Sequence, residues 1–144
     1  MGVVASVQPA FVTSDFWATD RVGKDREECV YPFKTIFRKA ITSAGSDCPV
    51  ERIDPLGGIW AAVTRGGFLP KERLKVGDAL HMYTVNGAYA SFEENEKGSI
   101  TEGKLADMIV LSRDPFKAPP NELKSIKVEG VIIGGRVIRL WPSN

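Results

Sequence analysis

The chain opens on an apolar run. Residues 3–12 are almost unbroken in hydrophobic character, interrupted by Gln8 and Pro9. Such a run suits a strand covered on both faces, as in a parallel sheet, rather than the alternation of a one-sided strand. Residues 3–9 are therefore predicted as a strand that Pro9 ends. Domains seldom begin on a strand needing so much cover, so the pattern implies a start inside a larger fold. Residues 13–32 are polar and aromatic without a clear period and are predicted as a long loop. Over 31–41 the period becomes helical. Phe33, Ile36, Phe37, Ala40 and Ile41 fall on one face, and Pro32 suits a first-turn position. A short strand over 42–44 runs into a turn at 45–49. Leu56, Ile59, Trp60 and Val63 mark a second helix, stopped by Gly66-Gly67. Residues 74–92 are predicted as a third, with Val76, Ala79, Leu80 and Tyr83 as its apolar stripe. Strand–helix–strand–helix is the rhythm of an α/β fold.

The last third changes character. Residues 106–111 are predicted as a strand. Residues 128–140 form two apolar runs separated by Gly134-Gly135, the pattern of a tight hairpin. Pro115, Pro119 and Pro120 mark the connection between these strands. The division falls into residues 1–95, where helices alternate with strands, and residues 96–144, which are β-rich.

Composition adds exclusions. The 144 residues are 43% hydrophobic and 26% charged, with a formal net charge of +1. That is ordinary globular composition without the basic excess of a nucleic-acid or anionic-membrane binder. No stretch approaches the ~18 consecutive apolar residues of a transmembrane helix. The first residues carry no positive region and no cleavage site, so a cytoplasmic location is expected. In that compartment Cys29 and Cys48 are expected as free thiols.

Candidate chemistry is sparse. Asp47 lies in Gly45-Ser46-Asp47-Cys48-Pro49-Val50, where a strand hands over to a loop. In α/β barrels functional residues gather at that strand end, and a carboxylate there can bind a metal or accept a proton. It can equally be a turn aspartate accepting backbone N–H groups. His81 is the sole histidine. It lies within the third helix, and one histidine is not a metal site. Arg21, in the long loop, and Arg65, at the end of the second helix, could each hold an anionic substrate group. Each could also be a surface arginine, and Arg65 a helix C-terminal charge. Gly98, Gly103 and Lys104 are spaced like a phosphate loop, but Leu105 stands where Ser or Thr is required and a strand follows.

Several stretches, in this order and spacing, resemble the C-terminal part of the amidohydrolase superfamily, in the branch called the amidohydrolase 3 family. They are Val7-Gln8-Pro9, Ala44-Gly45-Ser46-Asp47-Cys48-Pro49-Val50, Asp54-Pro55-Leu56, Ala61-Ala62-Val63-Thr64-Arg65 and Tyr83-Thr84-Val85-Asn86-Gly87-Ala88-Tyr89-Ala90. Lys97-Gly98-Ser99-Ile100, Gly103-Lys104-Leu105-Ala106-Asp107-Met108-Ile109-Val110-Leu111 and Gly134-Gly135-Arg136-Val137 complete the set.

The resemblance implies an α/β chain holding the last two βα units of a (β/α)8 barrel, followed by strands of a small β-sandwich domain. It implies metal-assisted hydrolysis of a C–N bond other than a peptide, in an amide, formamide or cyclic amide. The family's metal ligands are a His-x-His, often a modified lysine, and two further histidines. An aspartate at the end of the eighth strand completes the site and accepts the proton of the hydrolytic water. That aspartate maps onto Asp47. This sequence has no His-x-His, and His81 matches no ligand position. The divalent metal of the full-length enzymes, zinc, is thus expected to be absent from this chain alone. Asp47 would be a metal ligand only if another chain completed the site. The readings implied are a truncated amidohydrolase, one subunit of a split enzyme, or a non-catalytic interaction module, and the partners expected are an N-terminal complementing chain or further copies of this chain in a homo-oligomer.

Overall fold

The computed structural model describes residues 2–15 and 17–140. Two strands, β1 (Ala5–Val7) and β2 (Thr42–Ala44), pair in parallel, with Ala5 opposite Thr42 and Val7 opposite Ala44. The first strand is shorter than the apolar run. Gln8 and Pro9 turn their carbonyls to Phe11 and Val12, so the chain leaves the ladder and enters helix α1 (Phe11–Ser14).

The expected loop over 13–32 is a chain of short helical pieces: the end of α1, then α2 (Ala18–Val22), then a 3-10 helix over Lys24–Cys29. Pieces this short cannot display a helical period, which explains the irregular pattern of the sequence there. Helix α3 (Phe33–Lys39) then runs back to β2. It buries Phe33, but Ala40 is already extended, and Ile41 is exposed instead of completing the stripe.

Helix α4 (Pro55–Thr64) starts where Asp54 Oδ1 accepts the Gly57 N–H at 2.9 Å, an N-cap with proline at the first turn. It ends at Arg65, whose φ of +56° reverses the chain, followed by Gly66 at +57°. The third predicted helix is two. Helix α5 (Val76–Tyr83) and helix α6 (Val85–Ala90) are broken at Thr84, whose φ and ψ of −122° and −90° are not helical. Asn86 of α6 donates to the Thr42 carbonyl at 2.9 Å and ties this helix to β2.

The β-rich tail forms an antiparallel sheet in the order β3 (Met108–Leu111), β4 (Val128–Ile133), β5 (Arg136–Leu140). Its hairpin turns at Gly134-Gly135 as the sequence predicts. The turn is pinned to the strand before it. Gly134 N–H donates to Asp107 Oδ1 at 2.7 Å, and Gly135 N–H to the Ala106 carbonyl at 3.1 Å. The core joins both halves of the sequence. Val7, Phe33, Ile59, Ala62, Ala79 and Met82 meet Leu123 and Ile126 from the tail, and Lys124 stands over the Trp60 ring at 4.4 Å. Among the described residues, no helix is long and apolar enough to cross a membrane.

Candidate functional site

Because β1 and β2 are parallel, both end on the same side, and α3 returns the chain between them. Gln8 and Gly45 therefore stand side by side at that end, and the Gly45 N–H extends the ladder to the Val7 carbonyl at 3.0 Å. Asp47 follows two residues later. It is exposed and has a φ of +55°, in the left-handed region that few non-glycine residues occupy. Asparagine and aspartate tolerate that conformation best, but it still carries strain, and strained residues gather at functional sites. The turn closes through the Asp47 backbone carbonyl, which accepts the Val50 N–H at 2.8 Å. The carboxylate takes no part in that closure, and among the described residues it makes no hydrogen bond or ion pair. The structure thus replaces the turn-aspartate expectation with a backbone-closed turn that leaves the acid group open to solvent.

Behind this turn lies a cavity of about 210 Å³, lined by Ala44, Gly45, Ser46, Ile53, Asp54, Pro55 and Tyr83. The Tyr83 hydroxyl lies against Gly58 of α4, where no side chain would fit. Burial first, and then the charge of Asp54, push the Tyr83 phenol up to about 12. It is a neutral donor at any physiological pH.

The two candidate arginines part company. Arg21 is on α2 rather than in a loop, exposed, with its guanidinium 4.6 Å from the centre of the Trp17 ring. Arg65 is fully buried, contrary to a surface position. Its guanidinium donates to the carbonyls of Phe68 at 2.9 Å, Tyr31 at 2.7 Å and Val30 at 3.3 Å, between the rings of Phe33 and Phe68. Burial lowers its pKa to about 10 despite the favourable charge of Glu72. No sequence signal announces this clamp, since its acceptors are backbone carbonyls, two of them in the Val30–Tyr31 segment. Neither arginine is brought to Asp47 by any observed contact. His81 is exposed on α5, and Cys29 and Cys48 are exposed free thiols.

Among the described residues, no group of three or more His, Cys, Asp and Glu side chains is placed to hold a metal ion. Asp47 offers one carboxylate and no second ligand. The described residues therefore do not supply a metal centre by themselves.

A family profile described as "Amidohydrolase family" matches residues 1–139. The chain belongs to that family. It is 38% identical over 148 aligned positions to the putative amidohydrolase YtcJ of Bacillus subtilis, covering 96% of this chain and 28% of the relative. It is 34% identical to an N-substituted formamide deformylase of Arthrobacter pascens, covering 78% of this chain and 22% of the relative. Among solved structures, an uncharacterized metal-dependent hydrolase from Pyrococcus horikoshii superposes with a TM-score of 0.77 at 36% identity. That match covers 83% of this chain and 26% of the other. The chain thus spans about a quarter of the length of these relatives.

Proposed function

We propose that this chain carries the Asp47-bearing part of a hydrolase acting on C–N bonds other than peptide bonds, in small amides, formamides or cyclic amides. In this reading residues 1–95 are the last two βα units of a (β/α)8 barrel, and residues 96–144 give strands to a small sandwich domain. The observation that carries it is the state of Asp47: a strained, solvent-open carboxylate with no structural partner, at the C-terminal end of a parallel strand pair. There it takes the proton from an attacking water as the water oxygen adds to the substrate carbonyl. The relatives support the chemistry, one being called a formamide deformylase and two others deaminases. The family's divalent metal requires ligands from polypeptide outside these residues, whether an upstream stretch or a complementing chain. Arg21, exposed on α2, is the better placed of the two arginines to meet an anionic substrate group.

Reconstitution tests this. The chain is co-expressed with the N-terminal portion of a related amidohydrolase that carries His-x-His, and hydrolysis of a formamide panel is measured. Asp47→Asn is expected to lower turnover by roughly 10²–10⁴ while leaving assembly intact, because the amide keeps the shape but cannot accept the proton. His81→Ala is expected to leave turnover unchanged. Full activity in Asp47→Asn, or collapse in His81→Ala, would place the site on the wrong residue.

A further inference from the structure

A second cavity, of about 470 Å³, lies between the segment that follows β1 and the end of α4, and Asp47 is not among its lining residues. One wall is the segment that follows β1, with Asp15, Glu27 and Tyr31. The other is the end of α4 and the turn after it, with Trp60, Arg65 and Phe68. Its volume falls in the range of small-molecule sites, about 300–1,000 Å³.

Charge decides what it would take. Two carboxylates and one guanidinium line the cavity, a net of −2 + 1 = −1. The positive charge is already committed. Arg65 spends hydrogen bonds on three backbone carbonyls, and its faces are covered by Phe33 and Phe68. The negative charges are less occupied. Asp15 accepts the Tyr31 hydroxyl on one oxygen only. Glu27 is half-buried, and its carboxylate makes no hydrogen bond or ion pair among the described residues. Tyr31, Trp60 and Phe68 add aromatic walls; Arg65 already lies over Phe68 and Lys124 over Trp60, so among these rings it is Tyr31 that holds no cation among the described residues. These carboxylates belong to no group of three metal-ligating side chains, so a metal ion is not the fit.

We propose that this cavity binds a small organic cation, an ammonium group on an apolar or aromatic body, with Glu27 as its counter-ion and the rings as its walls. An entering cation brings the lining to neutrality, whereas a carboxylate would raise its charge to −2 and meet a guanidinium with three of its five N–H donors already given to backbone carbonyls. Binding here does not depend on the role of Asp47, since it requires no turnover.

The test uses the purified 144-residue chain and two probes of matched shape, 2-phenylethylammonium and 3-phenylpropanoate, titrated by calorimetry at neutral pH. The ammonium probe is expected to bind saturably and at least about tenfold more tightly than the carboxylate. Glu27→Gln is expected to weaken it about tenfold, the loss of one charged hydrogen bond. Glu28→Gln, whose carboxylate pairs outside with Lys71, is expected to change nothing. Magnetisation transfer from the probe to the Tyr31 and Phe68 ring protons would place it in this cavity. Equal or tighter binding of the carboxylate, no saturable binding of either probe, or unchanged affinity in Glu27→Gln would overturn the proposal.

Discussion

The two sheets among the described residues are complete in opposite ways. The parallel pair has only three residues per strand, and β1 and β2 have no further sheet partner among the described residues. Yet it is well covered: Thr42, Ser43 and Val7 are buried beneath helices that contribute most of the core. The antiparallel sheet has the longer ladder, but its apolar side chains lack cover. Ile109, Ile133, Val137 and Ile138 are each more than half exposed. Parallel pairing depends on helices packed over it, whereas a hairpin satisfies its backbone locally and leaves its faces for something else to fill. Stability should therefore be concentrated around the first sheet, and substitutions there should cost far more than substitutions on the second.

The largest effect is expected at Arg65. Arg65→Ala removes the donors to three carbonyls and the cation beside two rings, at a side chain with no solvent exposure of its own. It is expected to cost about 3–5 kcal/mol in urea unfolding, as for other broken buried polar networks. A loss below about 1 kcal/mol would show that the Val30–Tyr31 segment is held by something else. Next comes Gly58→Ala. A Cβ there would stand 2.8 Å from Tyr83 Cζ and closer to its hydroxyl, so overpacking should cost about 1–3 kcal/mol. Tyr83→Ala, which opens the space, should make the added methyl tolerable, and a strictly additive double mutant would refute the contact.

The pH limits sharpen the same contrast, because Tyr83 and Glu72 both lie on the helical side. The neutral form of Tyr83 is favoured by folding: its pKa is about 12 against an ordinary 10.0. Above pH 10 the unfolded chain loses this proton first, so its contribution to stability falls between pH 10 and 12; Tyr31, also raised to about 12, adds to the same limb, and Tyr83→Phe should make that limb shallower. Burial works against the charge of Glu72, but hydrogen bonds from the Thr35 hydroxyl and N–H, and the charge of Arg65, outweigh it and hold its pKa below 4.5. That contribution is present above pH 4.5 and is lost as the pH falls through the folded value. Thr35→Val should move the acid unfolding midpoint to higher pH, and an unchanged midpoint would remove Glu72 from the account.

How much of this the residues announce depends on the range of the cause. The stop of α4 is legible because Gly66 and Gly67 sit in the sequence where the chain must reverse. The break at Thr84 is not, because Val85, Ala88 and Tyr89 continue an apolar pattern and the Thr84 hydroxyl turns back to the Leu80 carbonyl at 2.8 Å, a local competition that periodicity does not register. The position of Asp47 at a strand end can be read from its turn. Its left-handed backbone and idle carboxylate cannot, since they depend on Val50 closing the turn through the main chain. Arg65 reads as a helix-end charge, which it is. Its burial depends on carbonyls 34 and 35 positions away.

The smallest expected effect on stability tests the exposed sheet. Val137 and Ile138 are 58% and 60% exposed on β5. Lysine at either position removes little buried area, so unfolding free energy should change by no more than about 0.5 kcal/mol. Association should change much more. Neighbouring apolar side chains with this exposure make a surface that other polypeptide, or a second copy of the chain, would cover. At micromolar concentration the unmodified chain is expected to scatter light as more than a monomer, and the double variant Val137→Lys, Ile138→Lys to shift toward the monomer with its unfolding midpoint intact. If the unmodified chain is instead a monomer that unfolds cooperatively, the sheet faces are tolerated in water and the molecule has closed its own core. If the lysines lower stability by several kcal/mol, the antiparallel sheet is as tightly packed as the parallel pair, and the contrast between the two regions fails.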